Sequence, residues 1–99
     1  MRPRISMKAL EQLVYQVNDI QDKPQEPYTR DDKGNFTANI GNWHLEGAYG
    51  GWCINEIVTI GGGVSCPFGQ GYNSKREIYN QLSNYIKGFS NAVYNGRGI

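Results

Sequence analysis

The sequence predicts an α+β fold: a helix, three or four antiparallel strands, a long glycine-rich loop and a second helix, packed as two layers. Three observations carry this expectation. Apolar residues recur at helical spacing near both ends of the chain, they alternate with period two in the middle, and glycine-rich stretches break the pattern between, with 13 Gly in all. Ninety-nine residues suffice for one domain with one modest core, so residues 1–99 read as a single unit.

Met7, Leu10, Leu13, Val14, Val17 and Ile20 fall at spacings of three and four and define the apolar stripe of the first helix. Ser6 is its N-cap, and the helix should fade before Pro24. Residues 1–5 precede the cap and read as a mobile arm. Residues 21–34 are polar and end in Asp31-Asp32-Lys33-Gly34, a hairpin turn with a short strand expected around Tyr28 to Arg30.

The period then becomes two. Phe36, Ala38 and Ile40 alternate with polar neighbours, Gly41-Asn42 marks a turn, and Trp43, Leu45, Gly47 and Tyr49 face one way while His44, Glu46 and Ala48 face the other. After Gly50-Gly51, Trp52, Ile54, Glu56, Val58 and Ile60 alternate with Cys53, Asn55, Ile57 and Thr59. Residues 61–73 hold five Gly, one Pro and no regular period, which predicts a loop of functional length. Ser74-Lys75-Arg76-Glu77 is a capping box, and Ile78, Leu82, Tyr85, Ile86, Phe89 and Val93 give the second helix its stripe. Gly88 is a candidate stop, and residues 95–99 read as a frayed tail.

Composition excludes some functions. Ten Lys plus Arg against nine Asp plus Glu leave a net charge of +1, too even for a protein held to duplex nucleic acid mainly by charge. No apolar run has membrane-spanning length and no secretory leader is visible, so a soluble, cytoplasmic protein is expected. Cys53 and Cys66 then read as free structural thiols, and two thiols cannot complete a tetrahedral zinc site. Asn35-Phe36-Thr37 matches a glycosylation sequon, which has no consequence in that compartment.

The run from Gly41 to Trp52 (GNWHLEGAYGGW), followed by Gly61-Gly62-Gly63-Val64-Ser65 and Ser74-Lys75-Arg76-Glu77-Ile78-Tyr79, resembles a group of short proteins encoded by tailed bacteriophages. The likeness covers about residues 7–90. That group more often carries Tyr where Trp43 and Trp52 stand, and it lacks a cysteine at position 66. It brings no established activity. What it implies is context: a phage accessory protein acting in the cytoplasm of a bacterial host.

The chemistry best supported by the residues is anion binding. A glycine-rich loop entering a helix presents backbone donors and the positive end of the helix dipole. Lys75 and Arg76 sit in that first turn, where cations oppose the dipole unless an anion is bound. The expected ligand-binding set is Trp43, His44, Trp52, Ser65, Tyr72, Ser74, Lys75 and Arg76, with Phe68 as a further stacking ring. The loop lacks P-loop spacing, and Gly61-Gly62-Gly63 lacks the dinucleotide-binding fingerprint. His44 with Glu46, or with Cys53 or Cys66, offers general acid-base or nucleophilic chemistry, but no third orienting residue accompanies them.

Three readings follow. The first is a non-enzymatic, homo-oligomeric protein that binds a phosphate-containing, nucleotide-derived ligand, without metal or cofactor, in the role of an anti-defence sponge. A second is an inhibitor of a host protein, acting through an aromatic sheet face around Trp43 and Trp52 and the nearby glycines. The third is single-stranded nucleic acid binding, which requires Arg2, Arg4, Lys8, Lys75 and Arg76 to share a face.

Overall fold

A computed structural model describes residues 4–69 and 71–97, with side chains up to residue 89. It shows an α+β architecture of two helices and two small antiparallel sheets. In chain order these are α1 (Met7–Ile20), β1 (Tyr28–Arg30), β2 (Phe36–Ala38), β3 (Trp43–Ala48), β4 (Gly51–Ile57), β5 (Val64–Ser65) and α2 (Lys75–Arg97).

Both helices start where the caps place them. The Ser6 side chain accepts the Ala9 N–H at 3.1 Å. At α2 the box closes both ways: Glu77 N–H donates to Ser74 Oγ at 3.1 Å, and Ser74 N–H donates to Glu77 Oε1 at 3.2 Å. Gly88 does not stop α2, whose helix continues to Arg97. The expected tail at 95–99 is therefore helical as far as Arg97, and residues 98–99 lie outside the described residues, as do residues 1–3 of the expected arm. Ile5 is not a free arm residue, because it packs against the core.

The strands divide differently from the expected single sheet. β2 pairs back onto β1, with Thr29 opposite Thr37, and does not join β3. Asp31 fixes this hairpin by accepting the Lys33 and Asn35 N–H groups on Oδ1 at 2.9 and 2.8 Å. Gly41-Asn42 is then a passage between sheets: Gly41 N–H donates to Ile57 O, and buried Asn42 donates its amide to Pro24 O.

β3 and β4 form a hairpin around Tyr49 and Gly50, whose φ angles of 53° and 73° suit a type I′ turn. The expected long loop is shortened by structure of its own. β5 pairs with the end of β4, and Asn73 exchanges both backbone hydrogen bonds with Trp52 at 2.8 Å.

One face of the β3–β4 ladder packs against the helices. Leu10, Val17, Trp43, Ile54, Ile78 and Leu82 form the buried cluster, with Leu45, Trp52, Phe68 and Tyr85 against it. Trp43 is its centre, edge-on to Phe68 with ring centroids 5.6 Å apart and tilted against Tyr85 at 5.0 Å. Lys23 Nζ lies 5.4 Å from the centre of the indole and pairs with Glu56 at 2.7 Å. Gly47 makes room for Trp52, since a Cβ there would lie 2.7 Å from the indole Cζ3.

Candidate functional site

The eight expected ligand residues do not form one site. Four of them meet. Trp52, Ser74, Lys75 and Arg76 line a cavity of about 540 Å³ together with Arg4, Ile5 and Gly50. β4 supplies the indole, the start of α2 supplies the two cations and the cap, and the segment before α1 adds the third cation. The charged residues lining this cavity are all positive, and they stand at the end of α2 where the backbone dipole is positive too. The Ser74 hydroxyl is committed to the cap, hydrogen-bonded to Glu77, so its role here is to fix the helix start. Such a surface can hold a phosphate against backbone and guanidinium donors while a ring stacks on Trp52.

Other expected residues lie elsewhere. Trp43, His44 and Trp52 line a separate groove of about 680 Å³ between α1 and β3. Trp43 is only 3% exposed and belongs to the core, which corrects its place in an open stacking surface. The same burial removes the aromatic sheet face: side chains of Trp43 and Trp52 lie on the helix-covered side, and the space beside Gly47 is filled by the protein's own indole. Phe68 is likewise packed against Trp43 and Tyr85. Ser65 is exposed in β5 opposite Glu56.

Tyr72 lies with the other face of the sheet, where its hydroxyl donates to Glu46 Oε2 at 3.0 Å. Asn55 donates to the same oxygen at 3.1 Å. Its own Oδ1 receives both thiols, Cys53 at 3.8 Å and Cys66 at 3.6 Å. These hydrogen bonds, Asn55 first and Tyr72 second, hold the Glu46 carboxyl below its ordinary range. Hydrogen bonding to Glu46 also raises the Tyr72 hydroxyl. Burial pushes the Cys53 thiol up and so keeps it protonated, unlike an activated nucleophile.

His44 does not join the thiols. Its Nδ1 contacts Asn42 Oδ1 at 3.0 Å, and burial lowers its pKa against the opposing pull of Glu46. The cluster is thus a network of satisfied polar groups on a strand pair. Both cysteines are free, and among the described residues no group of three or more His, Cys, Asp or Glu is placed to hold a metal ion.

Arg4 and Ile5 are the site residues that the sequence reading missed as wall residues. In the sequence Arg4 falls in the arm before the cap and enters only the nucleic-acid reading, and nothing in the local pattern shows that the arm folds back onto β4 and α2. For the cations named for nucleic acid, Arg4, Lys75 and Arg76 do line one cavity, Lys8 is exposed on α1, and Arg2 lies outside the described residues. No family model matches the chain, and neither a curated protein nor a solved structure matches it. Among the described residues no helix is long and apolar enough to cross a membrane.

Proposed function

We propose that this chain is a non-enzymatic binding protein that captures a phosphate-bearing, nucleotide-derived small molecule. The observation that carries the reading is the cavity at the start of α2, where Arg4, Lys75 and Arg76 lie beside Trp52 with no carboxylate among the described lining residues. The phosphate would lie against the first turn of α2 and the base against the indole. Capture needs no general base, and the ionisable side chains among the described lining residues are two arginines and a lysine, all of which suit an anion. A homo-oligomer belongs to this reading, with a second copy covering the outer side of the cavity.

The biological setting we propose comes from the sequence resemblance. A phage accessory protein of this kind would act in the host cytoplasm, sequestering a nucleotide signal that triggers defence.

The test is calorimetric titration with a panel of linear and cyclic nucleotides, using the wild type and the Lys75→Ala/Arg76→Ala double variant. Charge-assisted hydrogen bonds contribute about 1.5–3 kcal/mol each, so loss of the two should weaken binding by roughly a hundredfold or more while the thermal midpoint holds. Equal affinity in the two proteins would sink the site assignment.

A further inference from the structure

Cys53 and Cys66 are the chain's two cysteines, and they come from separate segments: Cys53 lies in β4, and Cys66 is the first residue beyond β5. The fold brings both thiols to one atom. They donate to Asn55 Oδ1, Cys53 at 3.8 Å and Cys66 at 3.6 Å. The same amide is anchored at its other end, where Nδ2 donates to Glu46 Oε2 at 3.1 Å, so its oxygen is held towards the sulfurs. The two thiols also meet each other: after burial, a hydrogen bond with Cys66 is the next cause that raises the Cys53 thiol.

Register explains the meeting. Glu56 opposes Ser65, so one step further along the same antiparallel pair Asn55 faces Cys66, and Cys53 follows two residues on, on the same side of the sheet. The cysteines are therefore diagonal neighbours, a relation that sets two residues about 7–8 Å apart. A disulfide needs Cα atoms about 4.4–6.8 Å apart. The difference is small, and Cys66 can take it up. It lies outside the β4–β5 ladder and opens a turn, in which its carbonyl accepts the Gly69 N–H at 2.9 Å.

We propose that Cys53 and Cys66 are a modification site, at which a reversible intramolecular disulfide fastens the passage between β5 and α2 onto β4. The oxidant is a low-molecular-weight disulfide. Cys66, the less buried sulfur, attacks it as the thiolate and displaces one thiolate of the reagent. Cys53 then attacks the Cys66 sulfur of the mixed disulfide, the bond between the two cysteines forms, and the second thiolate leaves. The protein gives up two electrons and two protons, and the reagent takes them as two thiols. Burial and the neighbouring thiol keep Cys53 protonated near neutral pH, so closure is slow and quickens as pH rises. Oxidation also removes both S–H donors from Asn55 Oδ1, which makes the Asn55 amide a reporter of the bridge. The site shares no residue with the nucleotide cavity, and it stands or falls without it.

The test equilibrates the full chain with reduced and oxidised glutathione, folded in buffer and unfolded in urea. Free thiols are then alkylated, and the bridged fraction is read by intact mass as the species that takes up no label. The inference predicts a dithiol–disulfide equilibrium constant at least tenfold larger for the folded chain than for the unfolded one, equivalent to about 1.4 kcal/mol. By linkage the bridged protein should melt at a higher temperature than the reduced one. The Asn55 side-chain amide resonances should shift with the bridged fraction in the wild type and stay in place when Cys66→Ser is given the same treatment. An equilibrium constant no larger in the folded chain than in urea would overturn the proposal. So would an end product that is a glutathione adduct or a disulfide-linked dimer.

Discussion

The two faces of the β3–β4 ladder are built from alternate residues of the same thirteen positions, yet they are held by different physics. On the helix side Trp43, Leu45, Trp52 and Ile54 are fixed by volume, filling the space between α1 and α2. On the other side Glu46, Cys53 and Asn55 are fixed by direction, through hydrogen bonds that run from Tyr72 to the two thiols, and His44 through its own contact with Asn42. Neither face is the candidate site. That lies off the end of the ladder, where the turn at Gly50 and the start of α2 leave a cavity. A tryptophan in a strand is therefore no guide to a binding surface until it is known which face the helices cover.

The comparison breaks most sharply at Trp43. Replacing it by alanine empties the centre of the core and should cost about 3–5 kcal/mol in urea unfolding, the range for a buried aromatic. A Trp43→Ala protein of wild-type stability would show that the helix-covered face is not held by packing. Asn18→Ala comes next, because it orphans both backbone groups of Trp43. At about 1–3 kcal/mol for each of the two buried unsatisfied groups, a loss of about 2–6 kcal/mol is expected in the same experiment.

Gly47→Ala drives a methyl into the Trp52 ring and should cost about 1–3 kcal/mol, the range for overpacking. Its effect should appear as a shift in tryptophan fluorescence as well as in the unfolding midpoint.

On the polar face the effects are smaller and depend on pH. Hydrogen bonds hold the folded Glu46 carboxyl below its ordinary value of 4.5, so the unfolded chain takes the proton first as pH falls. This contribution is complete above 4.5 and is lost as pH drops through the folded value. Glu46→Gln should flatten that part of the acid limb, as read from thermal midpoints across a pH series.

His44 acts in the same sense at higher pH. Burial lowers its pKa below 6.5, so stability declines as pH falls through that value, and His44→Gln should remove the decline. A slope that survives both changes would place the titrating groups elsewhere.

Much of the fold was legible because its signals are local. The N-cap of α1, the capping box of α2, the helical stripes and the alternation from Trp43 to Ile57 are each carried by residues close in sequence. Alternation sorted the residues of β3 and β4 onto shared faces correctly, but it is silent on which face is covered. That choice depends on α1 and α2, which come from opposite ends of the chain.

The same limit hid the pairing of β2 with β1, since Phe36–Ala38 alternates equally well beside either neighbour. Asn18 carries no signal in the sequence: it is fully buried and bonds the Trp43 backbone, which is visible only once the fold brings Trp43 beside it. At the candidate site, Ser74, Lys75 and Arg76 were legible through their cap. Arg4 was not, because the return of the first segment onto α2 leaves no local trace.

The central claim is capture of a nucleotide-derived ligand at the start of α2. The most direct measurement is native mass spectrometry of protein purified gently from bacteria and then exposed to the nucleotide panel, beside the Lys75→Ala/Arg76→Ala variant. The account predicts a folded species carrying added mass of nucleotide size in the wild type and losing it in the variant. A wild type that stays at its bare chain mass under every condition, or a variant that carries the same added mass, would contradict it.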